Sequence, residues 1–329
     1  MPYIRGILET KGISKTAAHI VEESWRCGTQ KQYSVYLKKW ERYCRERKVD
    51  PISSNVTVGI NFLAELYDDG LSYSSINTAR SALSTLMQLQ DGENFGSNTL
   101  VSRFMRGVFV KRPALPRYKE IWDVSIVLRH IEKWHPLKDL DLKCLTLKTV
   151  MLMALTSGQR CQTINALNLS NMQLTENRCR FEIKELLKTT RPNSHFGVVE
   201  FVAYIEEPLC VRACLREYIN RTKELRGNNT KLLISFRKPH NAVTTSTVSR
   251  WLKETLRLSG IDITTYKSHS VRAAATSAAQ LLNVTIEDIL SAGGWAGAET
   301  SGNFIINLYL NQITLQIHYS QNSEDMFDI

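Results

Sequence analysis

The sequence has no run of about 18 apolar residues, so no membrane-spanning helix is expected. Its seven cysteines form no Cys-x-x-Cys pair and have no His-x-His partner, which excludes the common zinc patterns and favours reduced, structural thiols. The N-terminal residues lack the apolar stretch of a secretory signal peptide, and no repeat or low-complexity tract occurs. These absences predict a protein of the cytosol or nucleus that holds no metal.

A basic excess is present instead. The 329 residues include 42 Lys and Arg against 32 Asp and Glu, which gives a net charge of +10 and a pI of about 9.2. Hydrophobic residues make up 43% and charged residues 22%, values typical of a globular chain long enough for two domains. The positive balance favours a polyanionic partner.

The first hundred residues carry apolar positions at helical spacing. The spacing predicts four helices, at 29–47, at 56–66, from 72 onward and at 98–110. Ser72 is expected to cap the third of them. Its polar face carries Ser74, Thr78 and Arg80, and such a face either approaches a phosphate backbone or is simply solvated.

A basic stretch with two prolines follows these helices. Residues 101–117 contain five Lys or Arg and no acidic residue, and Pro113 and Pro116 interrupt regular structure. We therefore predict a linker over 113–121 that contacts a polyanion, with Lys111, Arg112 and Arg117 as candidate contacts.

The second half mixes helical and strand patterns. Residues 178–183 alternate like a strand, 198–204 form a second β-rich run, and turn residues from Lys188 onward lie between them. The spacing of apolar residues in the rest of this half predicts helices at 122–134, 142–157, 210–222, 244–259, 269–282 and 285–292. The fold class predicted is mainly α with a small β-sheet.

Three segments of this half carry residues suited to one chemistry. His269 and Arg272 are spaced i,i+3, so they share a helix face and can reach one phosphate together. Arg160 follows Gly158 at a possible helix start, where backbone amides also favour anions. Lys188 opens the predicted hairpin turn, from which a long ammonium side chain can reach over a substrate.

With Trp295 and a late tyrosine, this ordered set resembles the tyrosine recombinases, also called phage-integrase-type site-specific recombinases. The narrower likeness is to the recombinases of DIRS-type retrotransposons and Crypton-like elements of eukaryotes. The matching stretches are Thr156-Ser-Gly-Gln-Arg160-Cys-Gln-Thr, Leu187-Lys-Thr-Thr-Arg-Pro, Ser235-Phe-Arg-Lys-Pro-His, Ser268-His-Ser-Val-Arg272-Ala-Ala-Ala-Thr-Ser and Ala292-Gly-Gly-Trp295.

The resemblance implies a domain plan. Residues 1–112 would form a helical SAM-like core-binding domain on DNA, and 113–121 the linker. Residues 122–310 would form an α+β tyrosine-recombinase catalytic domain, followed by a tail at 311–329. It also implies double-stranded DNA as the partner, a homo-tetramer on paired DNA sites, no cofactor, and a location in the nucleus.

The same resemblance implies roles for individual residues. Arg160 and Arg272 would clamp the scissile phosphate, Lys188 would protonate the leaving 5′ oxygen, and His269 would handle the proton of the nucleophile. Trp295 would donate its indole N–H to a non-bridging oxygen. A tyrosine further on would attack the phosphorus and form a 3′-phosphotyrosine.

Two positions depart from the family pattern. The acidic residue usual three positions after the first arginine is Thr163 here. The tyrosine expected nine or ten residues after Trp295 is replaced by Phe304 and Ile305, and the next tyrosine is Tyr309. Either Tyr309 is a displaced nucleophile, or Phe304 holds the family position and the chain is a DNA-binding protein with impaired cleavage. The clamp residues would also suit a type IB topoisomerase, which the helical N-terminal domain disfavours.

Overall fold

A computed structural model describes residues 2–10, 12–87, 94–115, 120–188, 190 and 197–281. The chain divides into two compact units, Met1–Pro116 and Arg117–Ile329. None of the helices in these described ranges is long and apolar enough to cross a membrane.

Helices joined by short loops make up most of the described part of the N-terminal unit. Its helices are α1 (Pro2–Thr10), α2 (Lys15–Glu23), α3 (Cys27–Arg47), α4 (Val56–Asp68), α5 (Tyr73–Ser84) and α6 (Thr99–Lys111). Side-chain oxygens cap the N-termini of four of them. Ser14, Asn55, Ser72 and Asn98 accept from the amides of Ala17, Val58, Ser75 and Leu100, at 3.2, 3.0, 3.3 and 2.9 Å. These caps satisfy amides that have no partner within the helix and so fix where each helix begins.

Aromatic residues of α3 and α4 form the centre of this unit. The ring centroids of Trp40 and Phe62 lie 5.2 Å apart, and Tyr43 lies 5.2 Å from the same Phe62 ring. The Trp40 indole donates to the Pro51 carbonyl at 3.0 Å, which satisfies its only polar group inside the core. Gly59 permits the packing of Phe95 against α4, since a Cβ there would lie 2.4 Å from the Phe95 ring.

The second unit is built around one buried helix. Its helices are α7 (Val124–Glu132), α8 (Leu142–Ser157), α9 (Cys161–Ala166), α10 (Val211–Thr222), α11 (Thr245–Leu258) and α12 (Ser268–Leu281). Every residue of α8 from Leu145 to Ser157 is buried, and α10, α11 and α12 all pack against it. A helix that is buried on all sides has partners on all sides, and α8 therefore organises this core.

A three-stranded antiparallel sheet completes the unit, in the order β1 (Met172–Leu174), β2 (Arg178–Glu182) and β3 (Val198–Val202). Cys179 and Phe181 of β2 are buried, as are Val199 and Phe201 opposite them on β3. The alternating residues point away from this core, as the two-residue period of a strand requires.

The predicted fold class, mainly α with a small β-sheet, is confirmed. Strand β1 was not predicted, because its three residues, one half-buried and two exposed, carry too little alternation to stand out. The spacing of apolar residues also did not predict the short helices α1, α2 and α9. The helix predicted at 285–292 and the tail at 311–329 lie outside the described residues.

Candidate active site

Arg160 stands at a sharp turn between two helices. Helix α8 ends in Gly158, whose φ of +56° suits a residue without a side chain, and whose amide donates to the Ala154 carbonyl at 3.1 Å. Two residues later, Arg160 is the N-cap of α9. A Cβ on Gly158 would lie 3.8 Å from the methyl group of Thr276, so this turn packs against α12.

Helix α12 carries the other two predicted residues of the phosphate site. It begins at Ser268, and its first turns hold the exposed His269 and the half-buried Arg272. Burial, and after it the positive charge of Arg160, lower the pKa of Arg272 to about 10. Because this value lies well above neutrality, Arg272 stays charged at pH 7. The fold thus brings two like charges together in a half-buried position, which an anion would stabilise.

The first turn of α12 is held by hydrogen bonds from other segments. The indole of Trp122, which is buried, donates to the Ser270 hydroxyl at 2.9 Å, and Ser270 in turn donates to the Lys267 carbonyl at 2.7 Å. The hydroxyl groups of Ser249 and Ser268 lie 2.6 Å apart, which links α11 to the start of α12. His269 and Arg272 therefore project from a turn that is fixed on two sides.

A buried thiol links the two arginine-bearing helices. Burial raises the pKa of Cys161, while a hydrogen bond with the Ser268 side chain acts in the opposite direction. Cys161 directly follows Arg160, and Ser268 directly precedes His269. This contact joins the start of α9 to the start of α12, while burial keeps the thiol protonated and structural rather than reactive.

Lys188 is placed beside α9 through its backbone. Its side chain is exposed, and its amide donates to the Oε1 atom of Gln162 at 3.2 Å. The turn around it is closed by two hydrogen bonds: Leu187 donates its amide to the Thr190 hydroxyl at 2.9 Å, and the Thr190 amide donates to the Leu187 carbonyl at 3.0 Å. The predicted hairpin lysine thus lies on a loop bound to the helix that Arg160 caps.

The remaining predicted residues of this site are Trp295, Phe304 and Tyr309, and all three lie outside the described residues. The choice between Phe304 and Tyr309 therefore stays open. Thr163, at the position where the family carries an acid, is buried in α9. Within the described ranges, no group of three or more His, Cys, Asp or Glu side chains is arranged to hold a metal ion.

The candidate DNA contacts of the N-terminal unit differ from one another. Lys111 is exposed at the end of α6. The neighbouring Arg112 turns inward: its guanidinium donates to the carbonyls of Tyr67, at 3.2 Å, and Leu71, and lies 4.1 Å from the centroid of the Tyr67 ring. Arg112 thus closes the end of α4, while its contact with DNA stays a prediction. Arg117 lies outside the described residues.

The polar face of α5 is less available to phosphates than its composition indicates. The hydroxyls of Thr78, Ser81 and Ser84 donate to the carbonyls four residues earlier in the helix, at 2.9, 3.0 and 2.8 Å. Their donors are therefore in use, and they present mainly acceptor oxygens outward. Arg80 on the same helix is half-buried, and its Nε atom has no hydrogen-bond partner among the described residues.

Sequence reasoning missed Trp122, Gln162, Ser249 and the supporting roles of Cys161 and Ser268. Their partners lie far away in the chain: 148 residues separate Trp122 from Ser270, and 26 separate Gln162 from Lys188. No local spacing pattern signals such pairs. The tryptophan at the start of the second unit was noted only as part of an apolar helix pattern.

Comparison with known proteins agrees with this architecture. Residues 18–90 match the family described as phage integrase, N-terminal SAM-like domain. A comparison with curated protein sequences finds no match. Among solved structures, the XerH site-specific recombinase bound to a palindromic difH substrate, in a post-cleavage complex, is similar over 89% of this chain and 78% of its own, with a TM-score of 0.56 and 15% identity.

A second similar structure comes from a mobile element. The Tn1549 transposon integrase in complex with transposon right end DNA matches over 85% of this chain and 93% of its own, with a TM-score of 0.51 and 14% identity. At such identities the likeness concerns the fold. The predicted class is confirmed: a SAM-like helical domain precedes an α+β unit with the tyrosine-recombinase fold.

Proposed function

We propose that this protein is a site-specific DNA recombinase of the tyrosine type, which cuts and rejoins DNA through a 3′-phosphotyrosine. The observation that carries the proposal is the approach of Arg160 and Arg272: the turn that precedes Arg160 packs against α12 at Thr276, and the charge of Arg160 helps to lower the pKa of Arg272. His269 projects from the same helical turn region as Arg272, and the Lys188 loop is bound to the helix that Arg160 caps. A phosphodiester suits this set of donors, because it offers two non-bridging oxygens to the guanidinium groups and a departing 5′ oxygen that can take a proton from the lysine.

The proposed chemistry follows from these side chains. The guanidinium groups bind the non-bridging oxygens and stabilise the charge that grows on them in the pentavalent transition state. A tyrosine oxygen forms a bond to phosphorus as the bond to the 5′ oxygen breaks. Lys188 gives the departing oxygen its proton, and His269 manages the proton of the attacking hydroxyl. Rejoining reverses these steps, since the phosphotyrosine preserves the energy of the broken bond.

A nicked suicide duplex tests this proposal. Cleavage near the nick releases a short fragment that carries the 5′-hydroxyl, and because this fragment diffuses away, rejoining is prevented and the covalent adduct accumulates. We expect the chain to form an adduct that migrates with the DNA under denaturing conditions. Tyr309→Phe should abolish the adduct and keep DNA affinity if Tyr309 is the nucleophile, since only one hydroxyl is removed. An adduct that survives Tyr309→Phe would exclude that residue. Absence of any adduct, on any duplex the protein binds, would contradict recombinase activity of this chain.

The second candidate is a DNA-binding protein derived from such a recombinase. The spacing after Trp295 favours it, because Phe304 stands where the family has tyrosine and lacks only the hydroxyl. In that case the chain should bind DNA without forming an adduct, and Phe304→Tyr should produce one. The two variants thus separate a displaced nucleophile from a lost one.

Double-stranded DNA is the proposed partner in both cases. The net charge of +10 supports it, as do the DNA complexes in which the XerH recombinase and the Tn1549 integrase were found. Affinity should fall steeply with salt concentration, because phosphate contacts release condensed counterions. We further propose that the protein forms a homo-tetramer on paired DNA sites, which light scattering on paired-site DNA checks. We also propose a mobile-element origin of the DIRS or Crypton type and a nuclear location.

A further inference from the structure

We infer that Gln162 is a positioning residue: by binding the backbone of the Lys188 loop, it holds this lysine beside the phosphate clamp of Arg160. This inference rests on the function proposed above. Gln162 is the second residue of α9, whose N-cap is Arg160. Its Oε1 atom accepts the backbone amide of Lys188 at 3.2 Å. One short helix therefore carries the clamp arginine and, through Gln162, the backbone of the lysine.

The described loop has other contacts at its base, whereas Gln162 binds the amide of Lys188 itself. At its base, the Ile183 amide donates to the Gly197 carbonyl at 2.9 Å, and Glu185 forms an ion pair with Lys231. The side chain of Lys188 is exposed and flexible, so its reach is set by where its backbone is held. An amide fixed against α9 limits the volume that the ammonium group samples.

Positioning of this kind affects one chemical event. When the tyrosine oxygen–phosphorus bond forms and the phosphorus–5′ oxygen bond breaks, Lys188 transfers a proton to the departing oxygen, leaving a neutral amine and a 5′-hydroxyl. A well-placed general acid contributes roughly 10²–10⁴-fold to such a step. A sulfur in place of the 5′ oxygen departs as a thiolate without needing that proton. Loss of Gln162 should therefore slow cleavage of the oxygen linkage and spare the sulfur linkage.

The experiment uses the full chain and two substitutions at one position. Gln162→Met keeps the length of the side chain and removes the acceptor, whereas Gln162→Glu keeps an acceptor oxygen. Gln173→Met, at an exposed position of β1, is the matched control. The ratio of cleavage rates on 5′-bridging phosphorothiolate and ordinary duplexes isolates leaving-group protonation, because the clamped phosphate oxygens are the same in both.

We expect Gln162→Met to raise this sulfur-to-oxygen ratio about tenfold, the effect of losing one hydrogen bond in the transition state. Gln162→Glu and Gln173→Met should leave the ratio near that of the wild type. A uniform loss on both substrates would indicate a merely structural role. An unchanged ratio in Gln162→Met would equally overturn the inference.

A second measurement does not depend on cleavage. Hydrogen exchange of the Lys188 amide in the free protein should become about five- to tenfold faster in Gln162→Met and stay slow in Gln162→Glu. Unchanged exchange in Gln162→Met would overturn the inference whatever the activity. If the wild type forms no adduct on either duplex, the recombinase proposal fails for this chain, and the exchange data alone decide whether Gln162 holds the loop.

Discussion

Arg160 and Arg272 belong to different helices, yet they lie close enough in the folded protein for the charge of Arg160 to depress the pKa of Arg272. Burial and like charge both oppose the protonated form of Arg272, which nevertheless stays charged at pH 7. Such an arrangement costs folding free energy until an anion occupies it. Proteins accept this kind of local conflict at functional sites, where the binding of a ligand compensates it.

Replacing Arg272 by methionine should separate its two effects. Arg272→Met keeps an apolar stem and removes the charge, so we expect unchanged or higher stability in thermal unfolding. Adduct formation, in whichever form of the chain cleaves DNA, should fall by at least about 10²-fold, because a donor to the transition-state oxygens is lost. Arg216→Met, at an exposed position of α10, is the control. Near-normal cleavage by Arg272→Met would remove this residue from the active site.

Replacing the adjacent residues Lys111 and Arg112 should affect two different properties of the protein, DNA affinity and stability. Arg112→Met removes the bonds to the Tyr67 and Leu71 carbonyls and the contact with the Tyr67 ring, so it should lower the free energy of unfolding by about 1–3 kcal/mol. Lys111→Met should leave stability unchanged and weaken DNA binding to all sequences alike, with a smaller dependence on salt. Denaturant unfolding and binding titrations check both. Equal stability of the two variants would contradict the internal role of Arg112.

Alkaline pH should destabilise the second unit through its buried thiols. Burial raises the pKa of Cys179 from 9.0 to about 12, with the charge of Arg212 opposing. Above pH 9 the unfolded thiol loses its proton while the folded one keeps it, so the unfolded state binds fewer protons and stability falls as pH rises.

One such thiol contributes at most about 1.4 kcal/mol per pH unit in this window. We therefore measure the free energy of unfolding in urea, under reducing conditions, between pH 8 and pH 10. This free energy should fall less steeply with pH for Cys179→Ala than for the wild type, although the variant is less stable at pH 7. The same pH dependence for the variant and the wild type would mean that the Cys179 thiol has the same pKa in the folded and the unfolded state.

The bond between Trp122 and Ser270 should be measurable by a double-mutant cycle. Trp122→Phe and Ser270→Ala each remove one partner of a buried hydrogen bond of 2.9 Å. We expect each variant to lose about 1–3 kcal/mol and the pair to show a coupling energy of about 0.5–1.5 kcal/mol. Additive losses would indicate that the two side chains do not interact in solution.

Several elements of the fold could be predicted from the sequence alone because their causes are local. Helix α8 was predicted at 142–157 and spans Leu142–Ser157, since an apolar run without prolines between Asp141 and Gly158 leaves few alternatives. Ser72 caps α5 as expected, because a serine before a helical pattern accepts an amide of the first turn. Strands β2 and β3 followed from alternation, whereas the short β1 forms only because β2 lies beside it.

The sequence by itself determined the helical character, the small sheet, the basic charge and the residue types suited to a phosphate, because periodicity, caps and composition act over a few positions. Only the tertiary structure decided that Arg112 turns inward and that Gln162 holds Lys188. It also decided that Arg160 and Arg272 meet. The physical reason is chain distance: these contacts join segments far apart in the chain, which approach only when the helices of each unit bury their apolar faces together.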